Sequence, residues 1–370
     1  MDEQVHNHLV ELPSIPESSA QAYKDNLAAL VEKVNKIMSS RSDIKLLIGD
    51  NSKQVMFDNH KNHGIFMSNV LALQQYSLLV HTISWVYRAY HSHGFSYAYF
   101  PAQLQAWRTA LLQTLRQNSR KPFFSLYDWM LSRHEDFIAW SQEPRFASPE
   151  PDEVWRGLYQ DFVQALIRGD KQKVLQLGKD AVGSSEELSS LYLQVLQPAM
   201  YTVGEMWERG EISVAKEHLA SALINRLMSM QYIDLIRPRE KKLGKALVSA
   251  ASNEFHEIGA TMVANCLELD GWDVEYLGAN MPLDELLLYV AAHEPDILAL
   301  SVAMPFNLEA VQDVIHNIRT WEARPRPKIL VGGLAFHELP DLAEQIGADG
   351  YAADCSQAVR MARKWQRKQK

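Results

Sequence analysis

"KALVSAASNEFHEIGATMV", Lys245 to Val263, decides the fold. After Lys245, six residues are apolar or small and none is charged. A run of that kind, bounded by turn residues, reads as a buried strand. Ser252, Asn253 and Glu254 break it, and the residues from Glu257 onward read as a helix. Strand, short polar loop and helix open a βα unit. The alternation continues to the C-terminus. Strands are expected at "DVEYLGA", "DILALSVA", "KILVGGLA" and "DGYAA", with helices beginning near Glu257, Leu283, Leu308, His337 and Ser356. Five apolar strands separated by helices imply a parallel sheet covered on both faces. For residues 245–370 the expected architecture is α/β and flavodoxin-like, with strand order 2-1-3-4-5.

Upstream, two polar, proline-rich stretches read as linkers: "SQEPRFASPEPDE", Ser141 to Glu153, and "RPREKKLG", Arg237 to Gly244. Residues 152–236 read as four helices, Val154–Arg168, Lys171–Val182, Glu186–Trp207 and Val214–Ile236. Gly169 and Gly183 punctuate them, and Ser213 is a good N-cap. Short connections imply an antiparallel four-helix bundle. Residues 1–144 read as an all-helical domain, globin-like in architecture. Asn69 to Tyr90 reads as a buried helix, with Leu71, Leu78 and Trp85 on its apolar face.

Composition narrows the class. The chain has 370 residues, enough for two or three domains with real cores. Its formal net charge of −8 argues against a surface that coats nucleic acid. Cys266 and Cys355 have no metal-ligand spacing and fit a reducing compartment. No apolar run of about 18 residues is present, so no membrane span is expected. "MDEQVHNHLV" lacks the basic and apolar regions of a signal peptide, so the expected setting is cytoplasmic.

In such a sheet, ligands sit beyond the carboxyl ends of the strands, where strand order reverses. The loops after strands one, three and four should therefore bring His256, Ser301 and Gly332–Gly333 to one rim. Gly259 is the only glycine between Ala251 and Leu269, so the dinucleotide fingerprint is missing. No Walker loop, HExxH or phospho-acceptor aspartate replaces it. What remains is one imidazole with Glu254 two residues before it. A single His suits a metal whose other positions a macrocycle fills. A neighbouring carboxylate would fix its tautomer. The blander reading is a loop histidine bonded to Glu254.

Glu254-x-His256-x-x-Gly259, then Ser301-x-Ala303, then Gly332-Gly333, resembles the signature of cobalamin-binding domains. The resemblance implies that His256 replaces the dimethylbenzimidazole base as lower cobalt ligand. It also implies that Ser301, Ala303 and Gly332–Gly333 line a slot for the displaced nucleotide tail. Ala303 departs from the usual Leu or Thr. The bundle then fits the helical cap that often precedes such domains. Trp207, followed nine residues later by Glu217-His218, looks like the cap of adenosylcobalamin-dependent light sensors, the family of the CarH and LitR photoreceptors. Trp207 supplies a stacking wall, and Glu217 and His218 supply polar partners for a purine nucleoside. The plainer reading makes Trp207 core and Glu217 a favourable helix N-terminal charge.

The resemblance implies a non-enzymatic switch. Light breaks the cobalt–carbon bond, the nucleoside leaves, and the cap shifts to alter an interface. In DNA-binding family members a histidine directly after the Trp then takes cobalt; here Glu208 stands there. Residues 1–144 offer no helix-turn-helix module, so a signal would pass through a homo-oligomer or a partner protein, without nucleic acid. Some cobalamin photoreceptors, the photocobilins, also hold a bilin. His91, His93, Tyr97 and Tyr99 are candidate contacts for one, against an ordinary aromatic core and turn. A corrinoid protein carrying methyl for a methyltransferase is the alternative from another class. A scaffold that senses cobalamin occupancy without light is a third.

Overall fold

The computed structural model describes residues 12, 14–143, 150–236, 242–322, 325–337, 339 and 341–369. Much of both expected linkers, residues 144–149 and 237–241, lies outside the described residues. The chain forms two compact units: Met1–Ala147 with Glu208–Glu211, and Ser148–Trp207 with Ile212–Lys370.

The first unit is helical among the described residues. Its helices are α1 Glu17–Asp25, α2 Leu27–Ser39, α3 Ile44–Ile48, α4 Lys53–Leu73, α5 Tyr76–Ser92, α6 Tyr99–Thr114, α7 Gln117–Ser132 and α8 His134–Ser141. The helix expected over 69–90 is two helices. Gln74 takes a left-handed conformation, φ 55, and its side chain donates to the carbonyls of Leu71 and Ile15, both at 3.0 Å. A polar side chain that satisfies a helix's last carbonyls ends it locally, despite continuous apolar spacing. Tyr23, Leu30, Val34, Trp107 and Tyr127 are buried in this core. Burial also pushes His60 and His63 of α4 down to about 3, so both rings are neutral. One face of α5 holds the short 208–211 segment. Trp85 Nε1 donates to Glu208 Oε1 at 2.7 Å, and Arg88 pairs with Glu208 Oε2 at 3.4 Å.

The second unit begins with a helical cap: α9 Glu153–Arg168, α10 Lys171–Asp180, α11 Ser185–Leu191, α12 Gln197–Glu208, whose last residue falls in the first unit, and α13 Val214–Leu235. A π-helical stretch, Tyr192–Leu196, joins α11 to α12 where one regular helix was expected. Gly169 at φ 69 closes α9, and the Ser184–Glu187 capping box opens α11.

The sheet follows as β1 Lys245–Ala250, α14 Ile258–Asp270, β2 Asp273–Tyr276, α15 Leu283–His293, β3 Ile297–Ser301, α16 Leu308–Arg319 and β4 Lys328–Gly332. It ends with α17 Leu334–His337, α18 Leu342–Gln345, β5 Gly350–Ala352 and α19 Cys355–Gln369. All pairings are parallel, in the order β2-β1-β3-β4-β5. That is the α/β architecture and strand order read from the sequence. After Lys245 every β1 residue is buried, because helices cover both faces. After β4 the helical segments are two short ones rather than one beginning near His337.

Registry sets the rim. Ala250 is opposite Ser301, Ser301 opposite Gly332, and Gly332 opposite Ala352. Gly333 turns the chain at φ +97, and a Cβ there would lie 2.3 Å from the Val302 carbonyl oxygen. Backbone strain and a backbone clash coincide, so Gly333→Ala should cost about 3 kcal/mol. Thermal unfolding of the protein without cofactor should show the midpoint lower by roughly 6–12 °C. A midpoint unchanged within a degree or so would contradict this account of the turn.

Candidate cofactor site

The β1–α14 loop is built around Glu254, which has no solvent exposure. A buried carboxylate persists only if its lone pairs are filled. Oε2 accepts from the backbone N–H groups of Ala303 and Met304, both at 2.9 Å, and from Asn307 Nδ2 at 3.1 Å. Oε1 accepts from the His256 backbone N–H at 3.1 Å and from His256 Nδ1 at 2.5 Å. Burial alone would raise the Glu254 pKa. The His256 hydrogen bond and charge, with the backbone donors, outweigh it and hold the carboxyl below its ordinary value. His256 moves the other way. Its bond to Glu254 raises its pKa against the effect of burial, and the charges of Glu254 and Glu217 add to the rise.

This pairing orients the ring. With Nδ1 on the carboxylate, Nε2 is the nitrogen left to act outward, and the side chain is 62 % exposed. Among the described residues no three His, Cys, Asp or Glu side chains gather to hold a bare ion. One oriented imidazole on an open rim fits a metal already held by a macrocycle. Gly259 has open space where a Cβ would be, at the start of α14. Ser301 and Ala303 are half-buried at the end of β3. Ala303 contributes through its backbone N–H, which donates to Glu254 Oε2. Gly332 and Gly333 also answer to packing. Cβ atoms there would meet the Ala352 and Val302 carbonyl oxygens at 2.7 and 2.3 Å.

The cap contributes from α12 and α13. Trp207 is half-buried against the cap core. Glu217, in the first turn of α13, pairs with His218 Nδ1 at 2.6 Å and accepts from Ser221 at 2.9 Å. The His218 side chain is 75 % exposed. The charge of Glu217 adds to the raised pKa of His256. Further along, Asn225 Nδ2 donates to Glu257 at 2.9 Å, tying α13 to the start of α14.

Three site residues were missed by sequence reasoning: Asn253, Asn280 and Asn307. The available signal was an asparagine in each of the loops after β1, β2 and β3.

The four candidate contacts for a second pigment do not form one set. His91 and Tyr97 stack at 3.7 Å beside a cleft of about 380 Å³ that Arg88, Ser141 and Arg209 also line. Tyr99 is buried in the core of the first unit and donates to Asn59 at 2.8 Å. His93 turns back to bond the Ala89 carbonyl at 2.7 Å. Helical periodicity separates them: Tyr99 begins α6 on its buried face, and His93 caps α5.

Residues 244–360 match the B12 binding domain family, and residues 158–231 match a second family described as B12 binding domain. Dimethylamine corrinoid protein 3 of Methanosarcina acetivorans is 28% identical over 209 residues, 56% of this chain and 96% of that protein. The HTH-type transcriptional repressor CarH of Myxococcus xanthus is 29% identical over 196 residues, 52% of this chain and 62% of that protein. The structure of the Methanosarcina barkeri monomethylamine corrinoid protein shares the fold, with a TM-score of 0.50 at 20% identity over 57% of this chain and 99% of that one. Among the described residues no helix is long and apolar enough to cross a membrane. A helical cap followed by a parallel-sheet domain, each matching a B12 binding family, makes this chain a corrinoid-binding protein.

Proposed function

We propose that the protein is an adenosylcobalamin-dependent light sensor, with His256 as the lower cobalt ligand. The observation that carries the reading is the cap pair Glu217–His218 at the start of α13, joined at 2.6 Å with the His218 side chain exposed. When bound, adenosylcobalamin would supply a light-labile cobalt–carbon bond. Glu254 would hold the His256 ring with Nε2 outward. Trp207 would wall the nucleoside, while Glu217 and the exposed His218 would bond its polar edge. Ser301, Ala303, Gly332 and Gly333 would border the nucleotide tail. Trp207, Glu217 and His218 would make contacts in the dark state alone, and their loss would shift the cap equilibrium for an oligomer or protein partner to read.

The second reading is a corrinoid carrier that presents a methyl group to a methyltransferase. The dimethylamine corrinoid relatives favour it, being matched over 96% of their length. Trp207, Glu217 and His218 favour adenosyl, because a methyl group needs neither a stacking wall nor hydrogen-bond partners. A bilin in the first unit has narrower support, the His91–Tyr97 stack and the two arginines of one cleft.

The test loads the full chain with adenosylcobalamin in darkness and records its spectrum and elution volume before and after green light. The expected result is a spectral change distinct from that of free cofactor, together with a changed elution volume. Trp207→Ala should abolish the elution change. A spectrum that follows free cofactor, with an unchanged elution volume, would sink the light-sensor reading. Methyl transfer from methylcobalamin-loaded protein to a thiol through a corrinoid methyltransferase would support the second.

A further inference from the structure

The loop that carries His256 is held from outside its own strand. Among the described residues, four that are not glycine have positive φ: Gln74, Asn253, Asn280 and Glu294. Gln74 and Glu294 are helix C-caps, a common place for this conformation. Asn253 and Asn280, at φ 62 and 53, end no helix. They sit in the loops after the neighbouring strands β1 and β2. Left-handed backbone at a side-chain-bearing residue is disfavoured and persists only where surrounding bonds over-determine it.

Those bonds form a ring. The Asn253 N–H donates to Asn280 Oδ1 at 2.8 Å, and the Asn280 N–H donates to the Glu254 carbonyl at 2.9 Å. Asn253 Nδ2 donates to Asn307 Oδ1 at 3.0 Å, and Asn307 Nδ2 returns to the Asn253 carbonyl at 3.0 Å. Asn307 is buried and also reaches the Glu254 carboxylate. Loops after three strands are thus joined around the residue two before His256. No bond of the ring uses an atom of His256.

We propose that Asn253 and Asn280, bonded directly to each other and with Asn253 braced by the buried Asn307, are positioning residues that fix the height of the His256 imidazole before cobalamin binds. They thereby decide whether cobalamin is held through this histidine. Asparagine suits both positions because it tolerates left-handed backbone and carries the donor and acceptor that close the ring. A glycine at 253 would keep the backbone conformation and lose only the Nδ2 bond to Asn307. An alanine would lose that residue's side-chain bond and also strain the backbone.

The inference rests on His256 being the lower ligand. The test needs neither light nor a methyl donor. Full-length protein with isotopically labelled histidine is titrated with cobalamin in its cobalt(II) form, in darkness. Affinity, the histidine hyperfine pattern in the EPR spectrum, and the unfolding midpoint of cofactor-free protein are recorded for wild type, N253G, N253A, N280A and H256A. Affinity should fall about fivefold to tenfold for N253G, near one net hydrogen bond. N253A should fall further, by about another fivefold to tenfold, from left-handed strain. N253A and N280A should also lose part of the histidine pattern at saturation. A merely structural role would lower the midpoint and leave the affinity and pattern of folded protein unchanged, and that result overturns the clamp. If H256A binds and reads as wild type, the ligand assignment itself falls, and the clamp with it.

Discussion

Replacing Glu254 with alanine should cost the second unit about 3–5 kcal/mol of stability, the usual price of leaving buried ionic and polar partners unpaired. The side chain is fully buried, and five hydrogen bonds converge on its two oxygens. Alanine would strand the Ala303 and Met304 N–H groups and the Asn307 amide in a space water reaches poorly. It would also release the His256 ring. Thermal unfolding without cofactor should show a midpoint lower by roughly 6–20 °C. Glu254→Gln should fall less, since an amide oxygen can still accept. A Glu254→Ala midpoint within about a degree of wild type would refute the claim that this carboxylate organises the loop.

The pair should also write itself into the pH dependence of cofactor-free protein. The Glu254 pKa is depressed by folding, so its contribution is present above the ordinary value of about 4.3 and is lost as pH falls through the lower folded value. The His256 pKa is raised, so its contribution is fully present below about 6.5 and is lost as pH rises through the higher folded value. The pair therefore helps most between those ordinary values. Glu254→Gln should flatten both limbs.

His256→Ala should weaken cobalamin binding by about 100-fold and convert what binds to a form without histidine ligation. Partner residues behind a metal ligand already cost 10–100-fold when removed, and this change removes the ligand itself. Nε2 is the ring nitrogen that Glu254 leaves outward, on a side chain 62 % exposed at the rim. A ligating imidazole must be neutral, and folding raises the His256 pKa. Wild-type affinity should therefore climb with pH through that raised value and then level, whereas His256→Ala should show no such step. Equilibrium titrations with spectra across pH check both. Unchanged affinity and spectra in the variant would remove His256 from the lower face.

The fold was legible because its signals are local. Uncharged apolar strands, each followed by a polar loop and a helix, announced a covered parallel sheet. Glu254, His256, Ser301 and Gly332–Gly333 could be assigned to one rim because strand order and loop position follow from that pattern. Helix ends were read less well. The break at Gln74 depends on a side chain that reaches the Ile15 carbonyl, far away in sequence. The π-helical stretch at Tyr192–Leu196 sits where Tyr192 accepts a bond from Asn265 of α14. Neither contact leaves a periodic trace.

The aromatic turn shows the same limit. His91, His93, Tyr97 and Tyr99 are close in sequence and alike in chemistry, yet only the helix ends decide which face the cleft. By itself the sequence determined the architecture, the rim and the histidine beside an acid, since each depends on spacing along the chain. Only the tertiary structure decided how that histidine is held: five donors on one buried carboxylate, and three asparagines closing a ring across three loops. Those bonds join residues up to 54 positions apart, and directional hydrogen bonds between distant loops exist only once the sheet has set their ends side by side.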